Sequence, residues 1–159
     1  MNSYYSPEKC SHLKYITGFD PGLISGITTA CVLWSLGYPD QGSLLSQKML
    51  TAARLIDHAM NLVGCLALDS LTNILRRDYP RLVKQGKEMY ELSKEKGFVL
   101  FIGAGLFKMA FAFIHYGKVQ EGIKNLHQAL EVYYATGISF TRTDLYGSLA
   151  EAYGIHGDI

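Results

Sequence analysis

Charge is scarce in this chain. Asp, Glu, Lys and Arg make up 18% of the 159 residues, below the roughly 25% usual for soluble domains, and they nearly cancel to a net +1. A nucleic-acid binder needs a basic excess or stripe, and a polybasic membrane-surface protein needs much the same. The balance argues against both. No apolar run approaches the roughly 18 residues of a membrane-spanning helix. The first eight residues, MNSYYSPE, carry no apolar segment of a secretory signal. Cysteine is limited to Cys10, Cys31 and Cys65, whose odd number and wide spacing make neither a disulfide framework nor a zinc site. A reducing, cytoplasmic setting is therefore expected. Against these absences stands a hydrophobic content of 48%, too high for a disordered chain and ample for one packed domain.

What the chain does have is a repeat. Gly37-Tyr38-Pro39-Asp40 is matched 40 residues on by Arg77-Asp78-Tyr79-Pro80, then by Gly117-Lys118-Val119-Gln120, and again by Gly157-Asp158-Ile159. Thr17, Asp57, Gly97 and Gly137 keep the same interval and fall midway between. Two interleaved turn series at one period mean two elements per repeat. Between the turns, apolar residues recur at helical spacing: Leu100, Phe101, Ala104, Phe107, Phe111 and Ile114 in one segment, Val119, Ile123, Leu126, Leu130 and Tyr133 in the next. The spacing predicts helices at about 20–35, 39–55, 58–76, 80–96, 98–116, 119–135 and 141–156, with a short one near 7–16. Asp20-Pro21 and Ser6-Pro7 read as an N-cap followed by proline in the first turn, and Pro39 and Pro80 suit the same place. Gly97, Gly117 and Gly137 suit the left-handed residue that closes a helix. Thr141 with Asp144 makes a weak capping box.

Helix pairs at a fixed period stack, because one pair cannot bury its own apolar face. The expected fold is all-α: a right-handed α-solenoid of antiparallel helix pairs, about three and a half repeats, in a single domain over residues 1–159. The frame opens with residues 1–16, which read as the tail of a preceding repeat, and closes mid-repeat. A slice of a longer array is the expectation.

The last repeat, with Tyr146, Leu149-Ala150, Tyr153 and Gly157-Asp158, resembles the tetratricopeptide pattern, as does Leu106, Ala110, Phe113, Gly117, Gly122, Ala129 before it. The earlier repeats match poorly, and the period is 40 where the standard is 34. A closer resemblance covers nearly the whole chain. Gly18-Phe19-Asp20-Pro21-Gly22, Leu33-Trp34-Ser35-Leu36-Gly37-Tyr38-Pro39-Asp40-Gln41, Lys96-Gly97-Phe98, Gly117-Lys118-Val119-Gln120-Glu121-Gly122-Ile123, Ala135-Thr136-Gly137 and Leu149-Ala150-Glu151-Ala152-Tyr153-Gly154 resemble the C-terminal helical-repeat region of large bacterial proteins. In those proteins a class III adenylate/guanylate cyclase domain and a predicted ATPase domain precede the repeats. The resemblance implies an interaction or regulatory scaffold. It carries over neither enzymatic activity, since no G-x-x-x-x-G-K-[ST] loop is present and the cyclase's metal-binding aspartates belong to a different domain.

Sharper readings fare worse than plain ones. Ile102-Gly103-Ala104-Gly105-Leu106-Phe107-Lys108 holds a G-x-G-x-x-Lys string, but it falls inside a helix, where small residues admit a close neighbour. His12, His58, His115, His127 and His156 are scattered, and His127 with Glu131 gives two ligands where a metal needs more. Cys31 and Cys65 sit among apolar helix residues and read as packed thiols. The Arg and Lys side chains from Arg76 to Lys96 are interleaved with Glu88, Glu91 and Glu95, as on a solvated face. No catalytic site, cofactor, metal, nucleic-acid or membrane partner is expected.

The remaining candidate is a face. Counting from the turns along the first helix of each pair places Ala67, Leu68, Leu71, Ile74 and Leu75 towards the concave side of the solenoid. The next repeat places Phe107, Lys108, Phe111, Ile114 and His115 there. Leu71, Leu75, Phe107, Lys108, Phe111 and His115 are the candidate residues for a protein partner. The rival reading encloses a small apolar molecule among Phe107, Phe111, Tyr146 and Tyr153. Leu145, Leu149 and Tyr153 on the last helix are the candidates for a symmetric homodimer. Ala110 and Ala150 are expected where helices close up.

Overall fold

The computed structural model describes residues 16, 18–56, 58–139 and 142–157. Among them are seven α-helices and no strand, so the described chain is all-α. The helices are α1 (Pro21–Ser35), α2 (Pro39–Leu55), α3 (Ala59–Leu75), α4 (Tyr79–Lys96), α5 (Val99–His115), α6 (Val119–Thr136) and α7 (Arg142–His156). All seven expected segments from 20 to 156 are helical, with bounds shifted by at most one residue. The expected helix at 7–16, apart from helical Ile16, lies outside the described residues, as do Cys10, His12, Asp57 and Thr141.

Local chemistry sets these ends. The Asp20 carboxylate accepts from the Gly22 and Leu23 amides at 2.8 and 3.2 Å, and Pro21 follows it in the first turn. Asp78 caps α4 by accepting from the Arg81 amide at 3.2 Å, with Pro80 in the first turn. Gly97 and Gly137 close α4 and α6 with φ of 73°, a left-handed conformation that a Cβ disfavours.

The chain divides into two compact units, Met1–Thr72 and Asn73–Ile159, and the division falls within α3. In the first unit α1 packs on α2 in opposite directions: Gly26 faces Met49, while Gly42 faces Ala30 and Trp34. Leu23, Ile27 and Ala30 of α1 are buried, as are Leu45, Leu50 and Ala53 of α2 and Val63, Cys65 and Leu66 of α3. Polar side chains are buried with them in bonded pairs. Ser46 donates to the Asp69 carboxylate, the Asp20 amide donates to Asn61 Oδ1 at 2.7 Å, and the Thr72 hydroxyl donates to Cys31 Sγ at 3.1 Å.

In the second unit α4 packs on α5, α5 on α6, and α7 on both α5 and α6. The core is built from Leu106, Ala110 and Ile114 of α5, Ile123, Leu126, Leu130 and Tyr133 of α6, and Leu145, Leu149 and Ala152 of α7. Ala110 is fully buried and its carbonyl lies against Gly122, where a small residue was expected. Ala150 is exposed, and Ala152 is the small residue that enters the core.

Candidate functional site

Helix α5 carries one ionisable side chain besides His115, and that is Lys108. One side of the helix supplies core. The half-buried side, Phe107, Phe111 and His115 at i, i+4 and i+8, forms a continuous strip of rings. The Phe107 and Phe111 centroids are 6.4 Å apart at 61°, and Phe111 meets His115 edge-on at 4.4 Å. The strip continues on α4, where Tyr79 stacks on His115 at 5.3 Å and 22°, then turns edge-on to Tyr116 at 5.7 Å. Such pairs add about 0.5–1.5 kcal/mol each beyond the area they bury. Glu151 of α7 brings a carboxylate oxygen to 3.9 Å from His115 Nε2, an ion pair only when the imidazole is protonated.

The structure thus brings Phe107, Phe111 and His115 together. Lys108 leaves the set: it is 4% exposed and packs towards α4, its Cβ lying 3.2 Å from where a Gly86 side chain would begin. Ile114 is likewise core. Leu71 and Leu75, one turn apart on α3, are each 54% exposed, unusual for leucine. Three residues that complete the strip had not been singled out: Tyr79, Tyr116 and Glu151. They sit beside turns or on another helix, and an aromatic residue flanking each turn is the signal that marks two of them.

The last helix differs from expectation. Leu145 and Leu149 are 1% and 7% exposed, buried against the rest of the second unit and not displayed for a second copy. Tyr153 is half-buried and its hydroxyl lies 3.0 Å from His127 Nε2. The exposed apolar side chains of α7 are Tyr146 and Ile155. Tyr146 shares a hydroxyl–hydroxyl bond with Tyr134, over whose ring Arg142 lies at 4.5 Å. That bond, ahead of a little desolvation, pushes the Tyr146 phenol above its ordinary range. Of the four rings of the small-molecule reading, Phe107 and Phe111 meet one another, while Tyr153 contacts His127 and Tyr146 bonds to Tyr134.

The glycine string on α5 is structural. Gly103 faces the Tyr133 ring of α6, and Gly105 faces the Gly86 carbonyl of α4, so the two glycines admit one neighbour on each side. Cys65 is fully buried; burial first, then the Asp20 and Asp69 charges, push its thiol up to about 12, which keeps it protonated and inert. Among the described residues no group of three or more His, Cys, Asp or Glu is arranged to hold a metal ion, and no helix is long and apolar enough to cross a membrane. Comparisons of the chain with protein-family models, curated proteins and solved structures gave no match.

Proposed function

We propose that this chain is a non-catalytic protein–protein interaction module, acting as the scaffold or regulatory arm of a cytoplasmic bacterial signalling protein of the cyclase–ATPase type. The fold proposed for it is a right-handed, tetratricopeptide-like solenoid. Two regularities support that fold. Residues 37, 77, 117 and 157, spaced by 40, all have positive φ. The close approach of Gly42 to the Ala30 carbonyl recurs 80 residues on as Gly122 to the Ala110 carbonyl.

The observation that carries the interaction reading is the ring strip from Phe107 to Tyr116. Interface centres are depleted in charge and enriched in aromatic residues; here Tyr116 is exposed and Tyr79, Phe107, Phe111 and His115 are partly exposed beside it. A second copy of the chain is one partner such a surface can take. The test compares the parent with Phe111→Gln and with Lys124→Gln, an exposed control on α6. Each is used as bait in a bacterial cytoplasmic extract, with retained proteins quantified by mass spectrometry. At least one protein should be lost with Phe111→Gln and kept with Lys124→Gln. Identical retention by all three would refute the reading.

A further inference from the structure

We infer that the outward face of α7, centred on Ala150, docks an amphipathic helix of a partner protein, antiparallel to α7 and with a glycine over Ala150. The surface uses none of the ring-strip residues and does not rest on the reading above.

The chain seats one helix on the helix before it in the same way twice. In the first unit Gly42, the fourth residue of α2, lies against α1: a Cβ there would meet the Ala30 carbonyl oxygen at 2.7 Å and the Trp34 amide nitrogen at 3.2 Å. In the second unit Gly122, the fourth residue of α6, lies against α5: a Cβ there would meet the Ala110 carbonyl oxygen at 3.0 Å and the Ile114 side chain at 2.5 Å. On α1 the seat runs Gly26, Ala30, Trp34, with Met49 of α2 on Gly26. On α5 it runs Leu106, Ala110, Ile114, all buried.

Forty residues further on, the same places on α7 hold Tyr146, Ala150 and Gly154. Here the seat is open. Ala30 and Ala110 are fully buried, whereas Ala150 and Gly154 are exposed and Tyr146 is 48% exposed. The opposite side of α7, with Leu145, Leu149 and Ala152, enters the core of the second unit. The open side of α7 is therefore the side that carries the next helix on α1 and α5. Beside it a Cβ on Gly147 would meet nothing within 4 Å, and Ile155 extends the apolar surface.

The helices that fill the two equivalent seats define the occupant. Counted from the glycine, both bury the residues four, eight and eleven places on: Ser46, Leu50 and Ala53 in α2, Leu126, Leu130 and Tyr133 in α6. That spacing is one face of a helix, and leucine stands eight places on in both. The glycine admits the close approach of two backbones. In both pairs the first turn of the second helix meets the C-terminal half of the first, so the occupant of α7 runs antiparallel to it. A second copy of the chain has no such helix free. Gly42 and Gly122 are engaged on Ala30 and Ala110, and Gly86 of α4 on Gly105. The occupant is a helix of another protein.

The test titrates the full chain into a fluorescein-labelled peptide of the α6 sequence, residues 119–136, read by anisotropy. The peptide should bind saturably. Gly122→Leu in the peptide should weaken binding at least about tenfold, because the added side chain overpacks the contact. Leucine is the better helix former, so lost helicity cannot explain that result. Ala150→Leu in the protein should weaken the parent peptide to a similar extent. Position 150 is exposed, so the fold survives this substitution, and an unchanged unfolding midpoint verifies it. Lys124→Gln, at another exposed position, should bind as the parent does. No saturable binding up to about 1 mM overturns the inference. Binding indifferent to Ala150→Leu also overturns it, since the peptide would then have exchanged with α6 itself. So does a parent dimer that excludes the peptide and that Ala150→Leu dissolves, which would give the seat to a second copy. The ring strip is untouched by any of these results, because the Phe111→Gln bait comparison tests it separately.

Discussion

The approach of α4 to α5 depends on two glycines, and adding one methyl group tests it. A Cβ on Gly105 would lie 2.8 Å from the Gly86 carbonyl oxygen and 2.9 Å from the Tyr90 amide nitrogen. The reciprocal Cβ on Gly86 would lie 3.0 Å from the Gly105 carbonyl. Optimal heavy-atom separations are about 3.5–4.0 Å, and backbone cannot rotate aside as a side chain can. Gly105→Ala must therefore part the two helices, which costs about 1–3 kcal/mol in lost packing. Alanine returns up to about 1 kcal/mol through its better helix propensity. The net expectation is destabilisation by up to about 3 kcal/mol. Gly147, in α7, supplies the control, since a Cβ there meets nothing within 4 Å. Gly147→Ala should gain about 0.5–1 kcal/mol. Urea unfolding followed by circular dichroism measures both against the parent. The opposite signs are the point: a Gly105→Ala variant as stable as Gly147→Ala would refute the close-approach argument.

Three other expectations concern side chains. Cys65, with its thiol pushed up to about 12, should resist alkylation in the native protein at about pH 8 and react only on unfolding; rapid native labelling would contradict its burial. Leu149→Glu puts a carboxylate into the α5–α6–α7 core and should cost about 3 kcal/mol or more, detected as a lowered unfolding midpoint; a variant that is merely more monomeric, with unchanged stability, would show that Leu149 is a surface residue. Tyr134→Phe removes the bond that raises the Tyr146 phenol, so Tyr146 should titrate at lower pH than in the parent by NMR. Because the folded-state value is raised, that bond favours the fold below the ordinary phenol range and is lost as pH rises through the raised value; an unmoved titration would contradict the assignment.

The helices were legible because their punctuation is local. Asp20-Pro21, Gly97 and Gly137 act through groups within a turn of themselves, so sequence suffices to place them. Arg77 shows how far this extends: the repeat marks its turn although the residue itself disguises the left-handed backbone. Which way a side chain points was less legible. Successive helix residues are about 100° apart, so a small error in the assumed facing moves Lys108 from groove to core while Phe107 stays on the strip. The same error exchanged Ala150 for Ala152 and turned Leu145 and Leu149 outward. Long-range polar pairs such as Ser46 with Asp69, or the Asp20 amide with Asn61, follow no spacing rule and appear only once the helices are packed. The approach of Glu151 on α7 to His115 on α5 is of that kind.

The proposed docking role of the α5 strip is tested most directly by a photoreactive phenylalanine analogue placed at position 111 in living cells that express the chain, with the same analogue at exposed position 124 as reference. After irradiation, position 111 should give a discrete covalent adduct with one protein chain, and position 124 none above background. Equal adducts at both positions, or none at 111 while the protein stays folded, would contradict the account.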